Sequence, residues 1–174
     1  MSRILPAQRL IFVAQAGKQR IKNWKEGVSL SDDSGCSISE LLCFAAADRW
    51  HLAYQQRYHA NKLLKSKPPH NRSAVSRYYY AMYHAMRACI YIFHQGDDHE
   101  QHSELPKHIP PDFPPGVDWQ NKLKNARLIR NRADYEAYPK SDKAWRGDAE
   151  SMKADADLLL SRSREYLRSK GCKL

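Results

Sequence analysis

The amino-acid sequence predicts an all-α protein, built as a bundle of four main helices with an N-terminal extension. Apolar residues recur at intervals of three and four along four separate segments, which is the period of a helix with one buried face. No segment shows the alternation of apolar and polar residues that is typical of a half-buried strand, and no internal repeat is present. We therefore expect a basic arm and linker over residues 1–40 and a helical domain over residues 41–174.

Composition and charge narrow the classes of protein to which the chain can belong. It has 174 residues, of which 42% are hydrophobic and 28% are charged, as in a globular protein with a single core. No apolar run reaches the roughly 20 residues of a membrane span, so we expect no membrane partner. The formal net charge of +10 favours a polyanionic partner such as RNA or a nucleotide, although a soluble protein that is simply basic has the same balance.

The four cysteines indicate a reducing environment. None belongs to a C-x-x-C pair, and Cys89 lies inside a predicted helix. We interpret all four as reduced thiols of a cytoplasmic protein.

The first forty residues have the composition of an arm followed by a linker. Residues 1–25 contain six basic residues and no acid, and they lack the continuous apolar core and the cleavage site of a signal peptide. A short helix is predicted after Pro6, from the apolar residues Leu5, Leu10, Ile11, Val13 and Ala14. Such an arm can lie along phosphates, dock on a partner subunit or pack on its own domain. Residues 26–39 are rich in Gly, Ser and Asp, which predicts a loop.

Four helices then follow along the domain. Their predicted bounds are Leu41–Lys65, Asn71–His94, Trp119–Tyr135 and Ala144–Ser169. Pro68 and Pro69 end the first helix, and Gly171 is a C-terminal cap for the last one. The many prolines of residues 95–118 predict a long surface loop between the second helix and the third.

The second of these helices has two distinct faces, and we expect the domain to be organised around it. One stripe is mostly apolar and predicts the core: Val75, Tyr79, Met82, Met86, Ile90 and Phe93. The other stripe combines two guanidiniums with an imidazole and two phenols: Arg77, Tyr80, His84, Arg87 and Tyr91. Such a stripe can bind phosphate or stack on a base, or it can form the surface of a dimer.

The loop after this helix contains a run of metal-ligand residue types. Between His94 and His102 the sequence carries three histidines and three acids, the residue types that bind zinc or manganese. Their spacing matches no metal motif, and we predict a solvated polar loop with no metal site. No glycine-rich phosphate loop or nucleophile elbow is present, and no cofactor is expected.

Two short runs carry a resemblance to a known family. The run from Ser76 to Ala88, S-R-Y-Y-Y-A-M-Y-H-A-M-R-A, is followed after the loop by L-I-R-N-R-A-D-Y, from Leu128 to Tyr135. Together with an early and a closing helix, this arrangement resembles the HEPN superfamily over about residues 41–170. The resemblance implies an up-and-down helical bundle that commonly pairs. It also implies metal-independent ribonuclease activity, as in toxin–antitoxin, abortive-infection and CRISPR effector systems.

The resemblance also implies a site. The usual HEPN motif is Arg-Asn-x-x-x-His, which Arg130 and Asn131 match, while Tyr135 stands at the histidine position. Arginine supplies a fixed positive charge to a phosphate, and an imidazole moves the proton near neutral pH. A phenol titrates near pH 10, which makes Tyr135 a weak base, and His84 of the neighbouring helix is a candidate substitute.

Each of these residues also has a structural interpretation. Arg130 and Asp134 are four residues apart, which is the spacing of an ion pair along one helix. Tyr135 fits a packing residue whose hydroxyl finds a partner, and His84 fits a hydrogen-bonded core histidine. The candidate catalytic residues are thus Arg130, Asn131, Tyr135 and His84, and the candidate RNA- or nucleotide-binding residues are Arg77, Tyr80, Arg87, Arg127 and Arg132.

Two functional hypotheses follow. The first is a HEPN-domain protein that binds RNA or a nucleotide in a prokaryotic toxin–antitoxin or anti-phage defence system, with weak or absent ribonuclease activity. The second is a non-catalytic interaction subunit that forms a homodimer or docks on a cognate antitoxin or effector protein. The missing histidine favours the second hypothesis, whereas the Arg-Asn pair and the basic charge favour the first.

Overall fold

The described part of the protein, residues 12–174 of a computed structural model, is built from helices, short turns and loops and contains no strand. This confirms the prediction of an all-α protein. The predicted helix after Pro6 lies for the most part outside the described residues. Over the same range, no helix is long and apolar enough to cross a membrane.

The longer helices are numbered here in chain order. Their bounds are α1 (Lys18–Ser34), α2 (Ile38–Lys65), α3 (Asn71–His94), α4 (Trp119–Tyr135) and α5 (Arg146–Ser169), with 3₁₀ turns at Leu105–Lys107 and Asp142–Trp145. The bounds of α3 and α4 agree with the prediction. Helix α5 begins two residues later than predicted, because the preceding 3₁₀ turn occupies its expected start.

The prediction of a loop over residues 26–39 was wrong for most of that segment, because α1 continues to Ser34. Side chains that bond along the helix offset its poor helix formers. The Ser34 hydroxyl donates to the Leu30 carbonyl at 2.7 Å, and the Ser29 hydroxyl donates to Asp33 at 3.3 Å. Gly35, in the left-handed conformation with a φ of 64°, ends the helix. No residue of α1 is buried.

Helix α2 begins three residues earlier than predicted, because it is capped at Ser37. The Glu40 carboxylate accepts from the Ser37 amide at 2.8 Å, and the Ser37 hydroxyl accepts from the Glu40 amide at 3.2 Å. These two bonds form a capping box, which satisfies two amides that the helix itself leaves without partners. The chain divides into two compact units, one ending at Leu41 and the other spanning Leu42–Leu174.

In the second unit the helices pack around α3, and more than half of its 24 residues are buried. The buried surface is wider than the predicted stripe, since Tyr78 and Ala85 are also fully enclosed. At the C-terminal end the prediction was wrong for Phe93, which is 38% exposed. Phe93 lies in the last turn of α3, which ends at Gln95 in the left-handed conformation.

Side-chain contacts give the directions of the helices. Helices α2 and α3 run antiparallel, because Asn61 accepts from Tyr78 at 2.6 Å while Arg49 pairs with Asp97, just beyond α3, at 3.2 Å. Helices α2 and α5 are also antiparallel. The Trp50 indole donates to the Ser163 hydroxyl at 3.0 Å, and Arg57 pairs with Asp157 nearer the start of α5.

The chain after α5 folds back against α2. Gly171 has a φ of 88°, and the Cys172 amide donates to the Leu167 carbonyl at 3.0 Å, so the predicted glycine cap is confirmed. This turn places the Cys172 sulfur 2.7 Å from the Cys43 sulfur, and both are free thiols. Burial raises the pKa of Cys172 to about 12, which disfavours its thiolate.

Candidate functional site

The candidate site is centred on Arg130, which reaches from α4 to the polar face of α3. Its guanidinium donates to the Asn131 side-chain oxygen at 2.9 Å and to the Tyr80 hydroxyl. Its Nε lies 3.0 Å from a carboxylate oxygen of Asp134, so the expected ion pair is present. Only 12% of the Arg130 side chain is exposed. Arg130 is therefore bonded to Asn131 and Asp134 on its own helix and to Tyr80 on α3.

Aromatic rings surround the Arg130 guanidinium. Its central carbon lies 5.0 Å from the ring centroid of Tyr80, 5.5 Å from that of Tyr79 and 5.8 Å from that of Tyr135. These distances are within the range of cation–π attraction. Tyr79 is buried, and its burial raises the pKa of the hydroxyl, although Arg130 and Arg127 oppose that shift. The interpretation of Tyr135 as a packing residue is wrong, because this last residue of α4 is 77% exposed.

Two imidazoles lie beside these rings. The Tyr79 hydroxyl is 2.6 Å from Nδ1 of His102, and the His102 ring stacks on Tyr83 with centroids 4.1 Å apart. His84 stacks on Tyr80 with a centroid separation of 6.4 Å. The site thus contains neighbouring phenols and imidazoles in addition to its guanidiniums.

The environment of His84 keeps its imidazole neutral. Burial, the positive charges of Arg49 and Arg87 and the nearby His102 together lower the pKa of His84 to about 4, and burial is the largest of these causes. Its Nδ1 is buried and has no hydrogen-bond partner among the described residues. The expectation of a hydrogen-bonded core histidine is therefore wrong for that nitrogen.

Arg87, a candidate phosphate-binding residue, is engaged by acids of the loop that follows α3. It donates to Asp97 at 2.8 Å from Nε and again from Nη2, and to Glu100 at 2.8 Å. It also donates to the Tyr83 hydroxyl at 3.0 Å, and Arg49 pairs with the same Asp97 at 3.2 Å. Arg87 consequently holds the loop on α3, and its charge is largely balanced by these two carboxylates.

The structure separates the remaining sequence-predicted residues into two groups. Arg127 is half-buried and close enough to Tyr79 and His102 to influence the pKa of each, so it belongs to the site. Arg77 turns toward α2, where it donates to Gln56 at 3.1 Å. Arg132 lies 5.8 Å from the ring of Trp145, on the opposite edge of α4.

We use the name Arg130 cluster for the residues brought together here: Tyr79, Tyr80, Tyr83, His84, His102, Arg127, Arg130, Asn131 and Tyr135. Sequence reasoning missed Tyr79, because its helical position marked it as core, which it also is, and it missed Tyr83, which it assigned to neither stripe of α3. It noticed His102 only as part of a histidine-rich loop. No pattern in the sequence shows that this loop folds back over α3.

Comparisons of the chain with family models, with curated proteins and with solved structures find no match. The chemistry of the Arg130 cluster therefore has to be argued from its own residues. Two guanidiniums can neutralise a phosphate, and an exposed phenol can stack on a base. The neutral imidazoles and the phenols can exchange hydrogen bonds with a ribose or a base edge.

Proposed function

We propose that this protein is a HEPN-like domain that binds RNA or a nucleotide at the Arg130 cluster, with weak or absent metal-independent ribonuclease activity. A prokaryotic toxin–antitoxin or anti-phage defence system is the setting that this proposal implies. The observation that carries it is the position of the Arg130 guanidinium between aromatic rings, one of which is the exposed ring of Tyr135. That combination fits a phosphate with an attached base.

Charge supports a polyanionic ligand. Asp134 balances part of the Arg130 charge, but Arg127 is a second guanidinium whose charge acts on both Tyr79 and His102. The whole chain has a net charge of +10, which favours the approach of RNA over a neutral or cationic ligand. A bound phosphate also gains more from a guanidinium that is shielded from water than from one that is fully exposed.

The acid–base groups support weak cleavage. RNA cleavage without a metal needs one group that takes a proton from the 2′-hydroxyl and one that returns a proton to the leaving oxygen. With a pKa of about 4, His84 is almost entirely neutral at pH 7 and is a poor proton acceptor there. Burial also lowers the pKa of His102, and Tyr135 has a phenol where the family motif has an imidazole. The cluster is better suited to binding than to proton transfer.

A second function has its own support. Leu128, Tyr135 and Tyr138 are each more than half exposed along the end of α4 and the chain that follows it. Exposed apolar and aromatic side chains of this kind are typical of protein interfaces. A non-catalytic subunit would use this edge to form a homodimer or to hold a cognate antitoxin or effector protein.

The proposal is tested by measuring the affinity of the full-length protein for a fluorescein-labelled single-stranded RNA by fluorescence anisotropy. Arg130→Gln removes the charge at the centre of the cluster and keeps a polar side chain. We expect it to weaken binding at least tenfold. Arg132→Gln is the matched control, because it removes the same charge two residues away on the other edge of α4, and we expect a change of less than threefold.

Cleavage is measured in parallel on total RNA with EDTA present, and we expect little or none at pH 7. Equal affinities for the Arg130→Gln and Arg132→Gln variants would contradict the binding site. Because Arg130→Gln also breaks the pair with Asp134, Arg127→Gln is a second variant whose loss of affinity has to agree with the first. Circular dichroism melting of each variant establishes that the bundle is still folded.

A further inference from the structure

Three imidazoles meet where α3 ends, and the Arg130 cluster uses none of them. His94 is the last residue of α3, His99 lies in the following loop, and His108 follows the 3₁₀ turn at Leu105–Lys107. One ring nitrogen from each residue lies within 4.8 Å of the other two. The rings of His99 and His108 are parallel with centroids 3.6 Å apart, and the His94 ring meets that of His99 edge-on at 4.6 Å.

The backbone holds these histidines from both sides. On the α3 side, the Gly96 amide donates to the Tyr91 carbonyl at 3.2 Å, which closes the helix directly after His94. On the other side, Leu105 is buried in the core, and the His108 amide donates to the Leu105 carbonyl at 3.2 Å. Anchored backbone therefore brings the three rings together, although His94 and His108 are 14 residues apart along the chain.

Three imidazole nitrogens favour some metal ions over others. Neutral imidazole is a ligand of intermediate softness and is bound well by zinc, nickel, copper and cobalt, but poorly by magnesium or calcium. All three rings are at least partly open to solvent, so an ion can enter. Tetrahedral zinc with three imidazoles needs ligand nitrogens roughly 3.4 Å apart, so each nitrogen has to move inward by about 1 Å. Rotation of the side chains covers that distance.

We propose that His94, His99 and His108 form a binding site for one divalent transition-metal ion of the zinc type, with a water as the fourth ligand. The sequence alone predicted a solvated loop, because His108 lies beyond the His94–His102 run and no spacing rule connects it to the other two. Glu104 is the nearby acid, and it already pairs with Lys107 at 2.9 Å. The site thus depends on imidazoles alone.

The ion would fasten the loop after α3. Between His94 and His108 this loop supplies Asp97 and Glu100 to Arg87, and it places His102 against Tyr79 and Tyr83. A metal bridge across the base of the loop would limit its opening and so keep the wall of the Arg130 cluster in place. The metal site stands on its own residues and does not require that the cluster binds RNA.

The test is metal binding by the full-length protein without an affinity tag, after treatment with EDTA and removal of the chelator. Zinc chloride is titrated at pH 7.5 in competition with a chromophoric chelator. Cobalt chloride is used in a second titration, because tetrahedral cobalt has strong visible absorption. We expect one ion per chain, and we expect His99→Gln and His108→Gln each to weaken binding at least tenfold and to abolish the cobalt absorption.

His59→Gln is the matched control, since His59 is an exposed histidine on α2, away from the loop, and it should bind as the unmodified protein does. The proposal is overturned if the unmodified protein takes up no zinc, or if His99→Gln and His59→Gln bind it equally. Thermal melting adds a second measurement. Zinc should raise the Tm of the unmodified protein and of His59→Gln, and it should leave the Tm of His108→Gln unchanged.

Discussion

Burial of single polar side chains determines much of the chemistry of the candidate site. His84 and Arg130 are both largely enclosed, but Arg130 has an ion-pair partner and His84 has an unpartnered Nδ1. A buried imidazole that has no acid beside it is hard to protonate, because its charged form lacks the hydration that it has in water. His84 therefore stays neutral over the physiological pH range. Protonation of His84 at lower pH decreases the free energy of unfolding.

This gives a prediction for pH. The pKa of His84 is about 4 in the folded protein and near 6.5 when the chain unfolds, so the unfolded state binds more protons between these two values. Stability must therefore fall as the pH drops below about 6.5, and His84 should account for about 1 to 2 kcal/mol of that loss by pH 4.5, after allowance for its partial exposure. Urea unfolding at pH 7.5 and pH 4.5 measures this loss.

The variant His84→Gln should lose less stability on acidification than the unmodified protein does. His59→Gln changes an exposed imidazole and should lose as much as the unmodified protein. Arg49, Arg87 and His102 face His84 and are unchanged in both variants, so the difference between them belongs to His84. Equal losses in the two variants would show that His84 is protonated without penalty.

Single residues also show which parts of the site could be predicted from the sequence and which could not. Sequence reasoning selected Arg130 and Asn131 as candidates because they match the HEPN motif, and His84 because of its residue type and its position on the polar stripe of α3. It could not identify His102 as their neighbour, because His102 reaches Tyr79 only after a loop of irregular backbone has folded back over the helix. Its packing interpretation of Tyr135 was wrong because residue type alone does not show that a side chain at a helix end is exposed.

At the scale of helices, a correctly predicted start does not require a cap that is visible in the sequence: the start of α3 was predicted correctly, whereas the start of α2 was predicted three residues too late. Helix α2 begins at a capping box and α5 ends at a glycine cap. Both caps are formed by residues that are close to the helix end in the sequence. Helix α3 has no side-chain cap from its own N-cap residue, His70. Its cap is Asp142, which no local pattern could reveal.

Asp142 closes the start of α3 from a distance of about seventy residues along the chain. Its carboxylate accepts from the backbone amides of Asn71 at 2.8 Å and Arg72 at 3.0 Å, and from the Asn71 side chain at 2.9 Å. We expect Asp142→Ala to cost about 2 to 3 kcal/mol of unfolding free energy, because three donors lose a partly buried acceptor. Denaturant unfolding measures this change.

Asp118→Ala is the matched comparison, since Asp118 caps α4 locally, accepting from the Asn121 amide at 3.0 Å in an exposed position. It should cost about 1 kcal/mol. The backbone and Asn71 bonds also hold the pKa of Asp142 below its usual range, although burial opposes that shift. Its contribution is therefore complete above the unfolded pKa and is lost as the pH falls through the folded one. An Asp142→Ala protein as stable as Asp118→Ala would contradict the importance of this cap.

For the whole molecule, the predicted division into an arm and a helical domain separates two physical roles. The unit from Leu42 to Leu174 contains the large apolar core around α3. Helix α1 contributes no buried residue, and residues 1–25 carry six basic residues and no acid. Folding free energy comes from buried apolar surface, whereas attraction to RNA comes from positive charge that reaches phosphates. The arm is therefore expected to matter for binding and not for stability.

Removal of residues 1–36 tests this expectation and leaves the Ser37–Glu40 cap of α2 intact. The shortened protein should melt within about 2 °C of the full-length chain, because the core is unchanged. Its affinity for single-stranded RNA should fall. The plot of log affinity against log salt concentration should also become less steep, by about 0.7 for each phosphate that the arm no longer neutralises. A full-length variant in which the six basic residues Arg3, Arg9, Lys18, Arg20, Lys22 and Lys25 are all glutamine should show the same change in slope. An unchanged affinity would exclude the arm from RNA binding, and a Tm lower by more than about 5 °C would show that it stabilises the bundle instead.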